Sequence, residues 1–131
     1  MEHISNSIRN GNWINAEPYG DFKVVAMNVF SDSSTFYKSL EYYPQAANGK
    51  TIAGIPLTEE WIKRFGGRKH LEYMLVDVAN HDALYLIYSK GMYHWGQGTW
   101  SVKLEFVHEL QNLYYALTKK ELEECIESKK D

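Results

Sequence analysis

The sequence predicts an α+β fold: N-terminal β-strands able to form a small barrel-like sheet, a short capped helix, and a four-stranded antiparallel meander packed against a C-terminal helix. Three observations carry this. Between Leu71 and Phe106, four apolar segments are separated by Asn80-His81-Asp82, Lys90-Gly91 and Gly96-Gln97-Gly98, residues that tolerate turn geometry and positive φ. The last segment alternates, with Trp100, Val102, Leu104 and Phe106 on one face and Thr99, Ser101, Lys103 and Glu105 on the other, the period of a half-buried strand. After Phe106 the period changes. Val107, Leu110, Leu113, Tyr114 and Leu117 recur at spacings of three and four, the stripe of an amphipathic helix.

The remaining elements follow in chain order. Asn12 to Asn15 and Phe22 to Phe30 read as strands joined through the turn-forming run Pro18-Tyr19-Gly20-Asp21. Thr35 to Tyr43 fits a helix by the spacing of Phe36, Leu40 and Tyr43, and a strand by its aromatic content. Pro44 to Gly54 has no period and reads as a long surface loop. Thr58 can cap a short helix with Glu59 and Glu60 in its first turn, Leu57 placed to staple against Ile62, and Gly66-Gly67 to stop it. Leu71 to Val78 and Leu84 to Tyr88 are apolar on both faces, so something is expected to cover the second face of the sheet. Thr118 with Glu121 fits a capping box, which predicts a second helix running to about Ile126 and a frayed tail. The chain is read as one domain, with an N-terminal β lobe over 1–54 and an α+β lobe over 55–131 as its natural subdivision.

Composition excludes several classes. Hydrophobic residues make up 44% of the 131, enough for one core, and charged residues at 24% sit near the globular average, which excludes disorder. The aromatic share of 15% is the unusual number. Fourteen basic and seventeen acidic side chains leave a net charge of −3, so nothing general favours nucleic acid or an anionic membrane as partner. A single cysteine, Cys125, excludes an intramolecular disulfide and a cysteine zinc site, and its acidic neighbours Glu123, Glu124 and Glu127 disfavour a reactive thiolate. Met1 to Asn10 has no leader pattern and no long apolar run follows. A cytoplasmic protein without cofactor or membrane partner is expected.

Three runs are familiar together: Ile8-Arg9-Asn10-Gly11-Asn12-Trp13-Ile14, then Ile55-Pro56-Leu57-Thr58-Glu59-Glu60-Trp61-Ile62 ending near Phe65-Gly66, then Val107-His108-Glu109-Leu110-Gln111-Asn112-Leu113-Tyr114-Tyr115-Ala116-Leu117-Thr118. In content and order they resemble a family of small hypothetical proteins of Bacteroidetes genomes, prophages and mobile elements. The resemblance implies a source, and a host-cell cytoplasm if the chain is phage-encoded. It implies no activity, cofactor or catalytic residue. The chain departs from the pattern over Asp32 to Ala53, which is longer and more aromatic, and at Lys119-Lys120, where a Gly-Lys or Gly-Glu pair would follow the threonine.

Candidate sites are few. Of the five histidines, none has ligand spacing: His108-Glu109 lacks a second histidine one turn on, where Asn112 stands, so no metal site is expected. His81-Asp82 is explained by turn chemistry, and Gly49-Lys50-Thr51 lacks the upstream glycine and the strand of a phosphate loop. The run from Tyr93 through His94 and Trp95 to Trp100 is the richest constellation, a rim for a planar ligand or a hairpin whose tryptophans cover the sheet; Tyr19 joins Tyr93, His94 and Trp95 as a candidate ligand contact. Lys63, Arg64, Arg68 and Lys69, with His70, form the one basic cluster, a weak nucleic-acid candidate offset by Glu59 and Glu60. His108, Gln111, Asn112 and Tyr115, with Glu109, make the polar face of the last helix, ordinarily solvated and otherwise a partner surface.

The leading functional expectation is a non-enzymatic binding or accessory protein of phage or mobile-element origin, acting through an unknown protein partner or an aromatic-lined small-molecule site. A hydrolase using His94 or His108 with Glu109, Glu105 or Asp77 is the alternative, and a nucleic-acid module through Lys63 to His70 is the third. A homodimer is the default assembly.

Overall fold

In the computed structural model, residues 8–16, 19–29, 34–39, 45–48, 52–78, 82–97 and 100–124 are described, and contacts divide the chain into two units, Met1–Ile55 and Pro56–Asp131. The first unit holds β1 (Trp13–Ala16), β2 (Gly20–Lys23), β3 (Ala26–Val29), β4 (Ser34–Ser39), β5 (Gln45–Asn48) and β6 (Ile52–Ala53). They form two antiparallel three-stranded sheets, in orders β2-β1-β6 and β3-β4-β5. No closed barrel is formed among the described residues.

The run from Phe22 to Phe30, expected as one strand, is two. Val24 donates its N–H to the Asn12 carbonyl at 2.8 Å, while its neighbour Val25 donates to the Tyr37 carbonyl at 2.9 Å. The chain therefore leaves one sheet and joins the other between adjacent residues, and the side chains follow: Val24 is buried and Val25 exposed. Asn12 holds this junction. It is fully buried, its Oδ1 accepts from the Arg9 N–H at 2.7 Å, and Gly11 beside it sits at φ 94°, where a side chain would be strained. Ile8, Ile14, Ala16, Phe22, Val24 and Phe36 pack as the core of this unit.

One open reading is decided here and one expectation is corrected. The segment around Phe36 is a strand, with Leu40 to Tyr43 outside the described residues, and the expected loop over Pro44 to Gly54 contains β5 and β6. Gln45-Ala46-Ala47-Asn48 has little strand propensity of its own and is held by pairing with β4, a tertiary effect that no local period announces.

The second unit contains α1 (Glu59–Arg64), β7 (Arg68–His70), β8 (Tyr73–Asp77), β9 (Ala83–Ser89), β10 (Met92–Gln97), β11 (Trp100–Leu104) and α2 (Val107–Thr118). Its five strands form one antiparallel sheet in the order β11-β10-β9-β8-β7, packed with the C-terminal helix. The expected meander thus has a fifth strand. Arg68-Lys69-His70 is fully exposed and carries no apolar alternation, so nothing in its composition marks it as a strand. The Asn80-His81 part of the β8–β9 turn, Gly98-Thr99 and Cys125 lie outside the described residues.

The turns are tight. Lys90-Gly91 closes the pair Ser89 and Met92 with both residues at positive φ, 56° and 87°, as a two-residue hairpin of primed type requires. Asparagine adopts the first position with less strain than lysine. Lys90→Asn is expected to raise stability by about 0.5–1 kcal/mol, seen as a higher urea midpoint, and a lowered midpoint would contradict this turn geometry. Leu71, at the tip of the β7–β8 hairpin, is at φ 57° and 78% exposed.

Helix α1 forms as the sequence predicts: Thr58 Oγ1 accepts from the Trp61 N–H at 3.2 Å, and Trp61 and Ile62 are its buried residues. At α2 the Glu109 carboxylate reaches back to accept the N–H groups of Glu105 at 2.7 Å and Phe106 at 3.0 Å, fixing the angle at which β11 becomes helix. The Leu57 N–H donates to the Glu105 carbonyl at 2.9 Å, tying the approach to α1 to the same corner. The expected second helix from Thr118 is not formed over the described residues 119–124. Thr118 is the last residue of α2, Lys119 takes the left-handed conformation at φ 65°, and residues 121–124 are irregular. Threonine here serves a stop: its Oγ1 donates to the Tyr114 carbonyl at 2.8 Å and accepts from the Lys120 N–H at 3.0 Å. Among the described residues, no helix is long and apolar enough to cross a membrane.

Candidate outer-face site of the five-stranded sheet

Strand register sorts the side chains of the sheet into two faces, since residues directly opposite on antiparallel strands point the same way. One face carries Met74, Val76, Leu84, Leu86, Tyr93 and Leu104, all buried. The other carries Tyr73, Leu75, Tyr85, Ile87 and His94, and here burial is incomplete: Tyr85 is 52% exposed, and Tyr73, Ile87 and His94 are half-buried. Over Tyr73, Tyr85, Ile87 and His94 the described residues do not supply the cover expected for this second face, whereas Leu75 is buried.

What lies there is an open depression of about 540 Å³ lined by Tyr73, Ala83, Tyr85, Ile87, Trp95 and Gly96. The Tyr73 and Tyr85 rings meet edge to face, with centroids 5.6 Å apart and planes at 81°, an arrangement aromatic pairs favour. Around it the side chains turn polar. Arg68 and His70 belong to β7 at one edge of the sheet, and Lys103 to β11 at the other. Arg68 bonds both oxygens of Asp77 at 2.8 Å.

The run Tyr93-His94-Trp95 does not act as one constellation, because a strand sends its neighbours to opposite faces. Tyr93 is buried against Tyr88, centroids 5.0 Å apart, and burial raises its phenol above the ordinary value, with Glu59 and Tyr88 adding to the shift. His94 is on the outer face and its Nε2 lies 3.0 Å from the Ser89 carbonyl, which can only accept, so this nitrogen carries the proton. Trp95 stands opposite Leu86 and Val102, so its side chain belongs with theirs to the face away from His94; it is half-buried and also borders the depression. The side chain of Trp100 lies outside the described residues. Tyr19 belongs to the first unit, packed edge-on to Phe22 at 6.0 Å with the Lys38 Nζ 5.4 Å from its ring.

The predicted polar face of α2 is largely inverted. His108 and Gln111 are buried, Asn112 is half-buried, and Tyr115 is exposed. His108 lies parallel to Phe106, centroids 5.8 Å apart, and loss of solvent lowers its imidazole below the ordinary value against an opposing pull from Glu109. Leu117, placed in the apolar stripe, is 49% exposed. The basic cluster is compensated. Lys63 pairs with Glu59 at 3.1 Å, Lys69 approaches the same carboxylate at 3.9 Å, and Arg64 bonds Glu124 while its guanidinium lies 3.8 Å over the Trp61 ring.

Tyr73, Tyr85 and Ile87 were not picked out as site residues by sequence reasoning. Their signal was the two-sided apolar character of β8 and β9, which announces a face in need of a partner without saying whether the fold supplies it. Among the described residues, no three histidine, cysteine, aspartate or glutamate side chains gather into a metal site.

No known family, no curated protein and no solved structure matches the chain.

Proposed function

We propose that the chain is a non-enzymatic binding or accessory protein that receives its ligand on the outer face of the five-stranded sheet. The observation that carries this reading is the depression lined by Tyr73, Tyr85 and Ile87, with Arg68, His70 and Lys103 on the edge strands to either side, on strands whose opposite face buries Met74, Val76, Leu84 and Leu86. Recognition surfaces have this anatomy. A rigid sheet also presents its side chains without an ordering penalty at the moment of binding.

The hydrolytic alternative draws less support, because most of its candidates are already engaged or buried. Glu109 accepts two backbone N–H groups, Asp77 holds Arg68, His94 bonds the Ser89 carbonyl, and His108 is buried. Basic residues Lys63 to Lys69 likewise have acidic partners. A phage or mobile-element source belongs to the proposal on the strength of the three sequence runs alone, and a cytoplasmic setting on the single cysteine.

Titration of nitrogen-15-labelled protein with planar heterocycles and short peptides tests the reading. Amide shifts are expected to cluster at Tyr73, Ala83, Tyr85, Ile87, His94 and Gly96, and Tyr85→Ala to weaken binding by roughly tenfold, a loss of about 1.4 kcal/mol. Light scattering of the same samples registers a second copy as the occupant. Shifts confined to other surfaces would defeat the proposal.

A further inference from the structure

We infer that the ligand of this face is a small uncharged planar ring compound, one or two fused rings in size, seated over Gly96 with a ring face against Tyr85. The inference rests on the binding role proposed above for the same face and names the class of ligand.

The register explains why a depression exists there. Arg68, Leu75 and Tyr85 stand opposite one another on β7, β8 and β9, and Gly96 stands opposite Ser101 on β10 and β11. Trp95 pairs with Leu86, which sets Gly96 beside Tyr85 and completes one line across the sheet. Gly96 has no side chain to put on that line, and its φ of 112° lies where other residues are strained. A glycine inside a strand is one way a fold lets a ligand come close to the backbone. Two inter-strand steps of about 4.8 Å leave about 10 Å between Tyr85 and Ser101, the breadth of one or two fused rings. Ala83, two residues before Tyr85 on the same face of β9, is also small. Tyr85 is 52% exposed and keeps bare ring surface for stacking, and about 540 Å³ is within the range of small-molecule sites.

Charge and area favour this class over others. Among the described residues the charged side chains of the face are Arg68, Asp77, Lys103 and Glu105, two of each sign, and Arg68 bonds both oxygens of Asp77 at 2.8 Å. With His70 and His94 neutral at pH 7 the face carries no net charge, so an ionic ligand gains nothing on it. A peptide strand pairs at the edge of a sheet. The depression lies over β9 and β10, inside the sheet, where the backbone groups are already taken by neighbouring strands. A second copy would need more surface. Four inter-strand steps of about 4.8 Å by about five residues of about 3.4 Å give the whole face roughly 300 Å² in plan, against roughly 800 Å² a side in a stable dimer.

The test uses the full nitrogen-15-labelled chain, titrated with naphthol, its saturated counterpart decahydronaphthol, the anion naphthoate and the cation naphthylmethylamine. Naphthol is expected to shift the amides of Tyr85, Ile87 and Gly96 saturably, with a dissociation constant on the order of 1 mM or lower. Decahydronaphthol, which has no ring face to stack, should bind at least about threefold more weakly. The two ions should bind no tighter than naphthol, whose affinity should change less than about twofold between about 50 and 200 mM salt. Tyr85→Leu, which keeps apolar bulk and loses the ring, should weaken naphthol roughly 2- to 10-fold, and Tyr85→Phe should leave it within about twofold. Any side chain at Gly96 meets a strained φ, so the depression is filled instead from Ala83: Ala83→Leu should weaken naphthol by about tenfold or more. An unchanged unfolding midpoint confirms that each variant is folded, and Tyr85, being exposed, tolerates both of its replacements. Equal binding of decahydronaphthol, preference for either ion, or indifference to Tyr85→Leu or Ala83→Leu overturns the inference. If the rings fail while short peptides, or a second copy registered by light scattering, still occupy this face, the ring-ligand assignment falls and the binding role stands; if nothing occupies it, both fall.

Discussion

Gly67→Ala is expected to destabilise the protein by about 1–3 kcal/mol, although it adds a single methyl group. Gly66 and Gly67 close α1 through a pair of hydrogen bonds, Gly66 N–H to the Lys63 carbonyl and Gly67 N–H to the Ile62 carbonyl, each 2.9 Å, with Gly66 at φ 89°. This is the helix stop known as the Schellman motif. A Cβ on Gly67 would stand 2.8 Å from the Ile62 carbonyl oxygen and well inside contact distance of its Cγ2. Neither can retreat easily: Ile62 is fully buried, and its carbonyl is fixed by the bond from Gly67 itself. Ile62→Leu removes the Cγ2 branch and should partly rescue Gly67→Ala, leaving the carbonyl contact. Urea unfolding of the four proteins as a double-mutant cycle measures this, and a coupling energy near zero would contradict the collision.

Acid is expected to weaken the fold through His108. Burial holds its imidazole neutral to lower pH than in the unfolded chain, Glu109 opposing. The unfolded chain binds the proton near pH 6.5 while the folded chain does not. Stability from this group is therefore complete above about pH 6.5 and lost as pH falls from there through the folded value, with a slope of at most about 1.4 kcal/mol per pH unit. His108→Gln removes the titrating group and keeps a polar side chain at the site. Urea midpoints between about pH 7.5 and 5.5 should fall less in the variant, and equal slopes would show that His108 is not buried neutral.

The C-terminal unit is legible in the chain because its signals are local. Thr58 caps α1 as its position before Glu59 and Glu60 suggests, Lys90-Gly91 turns, and the change of period at Phe106 marks the start of α2. Elements that owe their form to pairing with another strand escape such reading. Arg68-Lys69-His70 is a strand because Tyr73 to Leu75 lie beside it, and Gln45 to Asn48 because β4 does. The site shows the same limit. Tyr93, His94 and Trp95 are neighbours in sequence and are divided by the pleat, whereas Tyr73 and Tyr85 are twelve positions apart and meet edge to face. His108 and Gln111 look like a solvated face by composition, and the packing of α2 buries them.

Two of the three runs singled out in the sequence, Ile8 to Ile14 and Ile55 to Ile62, fall on joints of the fold, and the third is the helix that follows such a joint. Gly11 and Asn12 build the junction beneath Val24, Leu57 and Thr58 set the start of α1, and Val107 to Thr118 is α2 with its stop. Their common property is that they determine where the chain turns, and none of them supplies the outer-face tyrosines.

The division at Val24 and Val25 makes the two small sheets dependent on each other. One peptide link separates an amide bound into the first from an amide bound into the second. Neither sheet can release its end of that link without slackening the other, so the pair works as a clasp. The six strands, short as each is, are thereby bound to form and to come apart as one cooperative body.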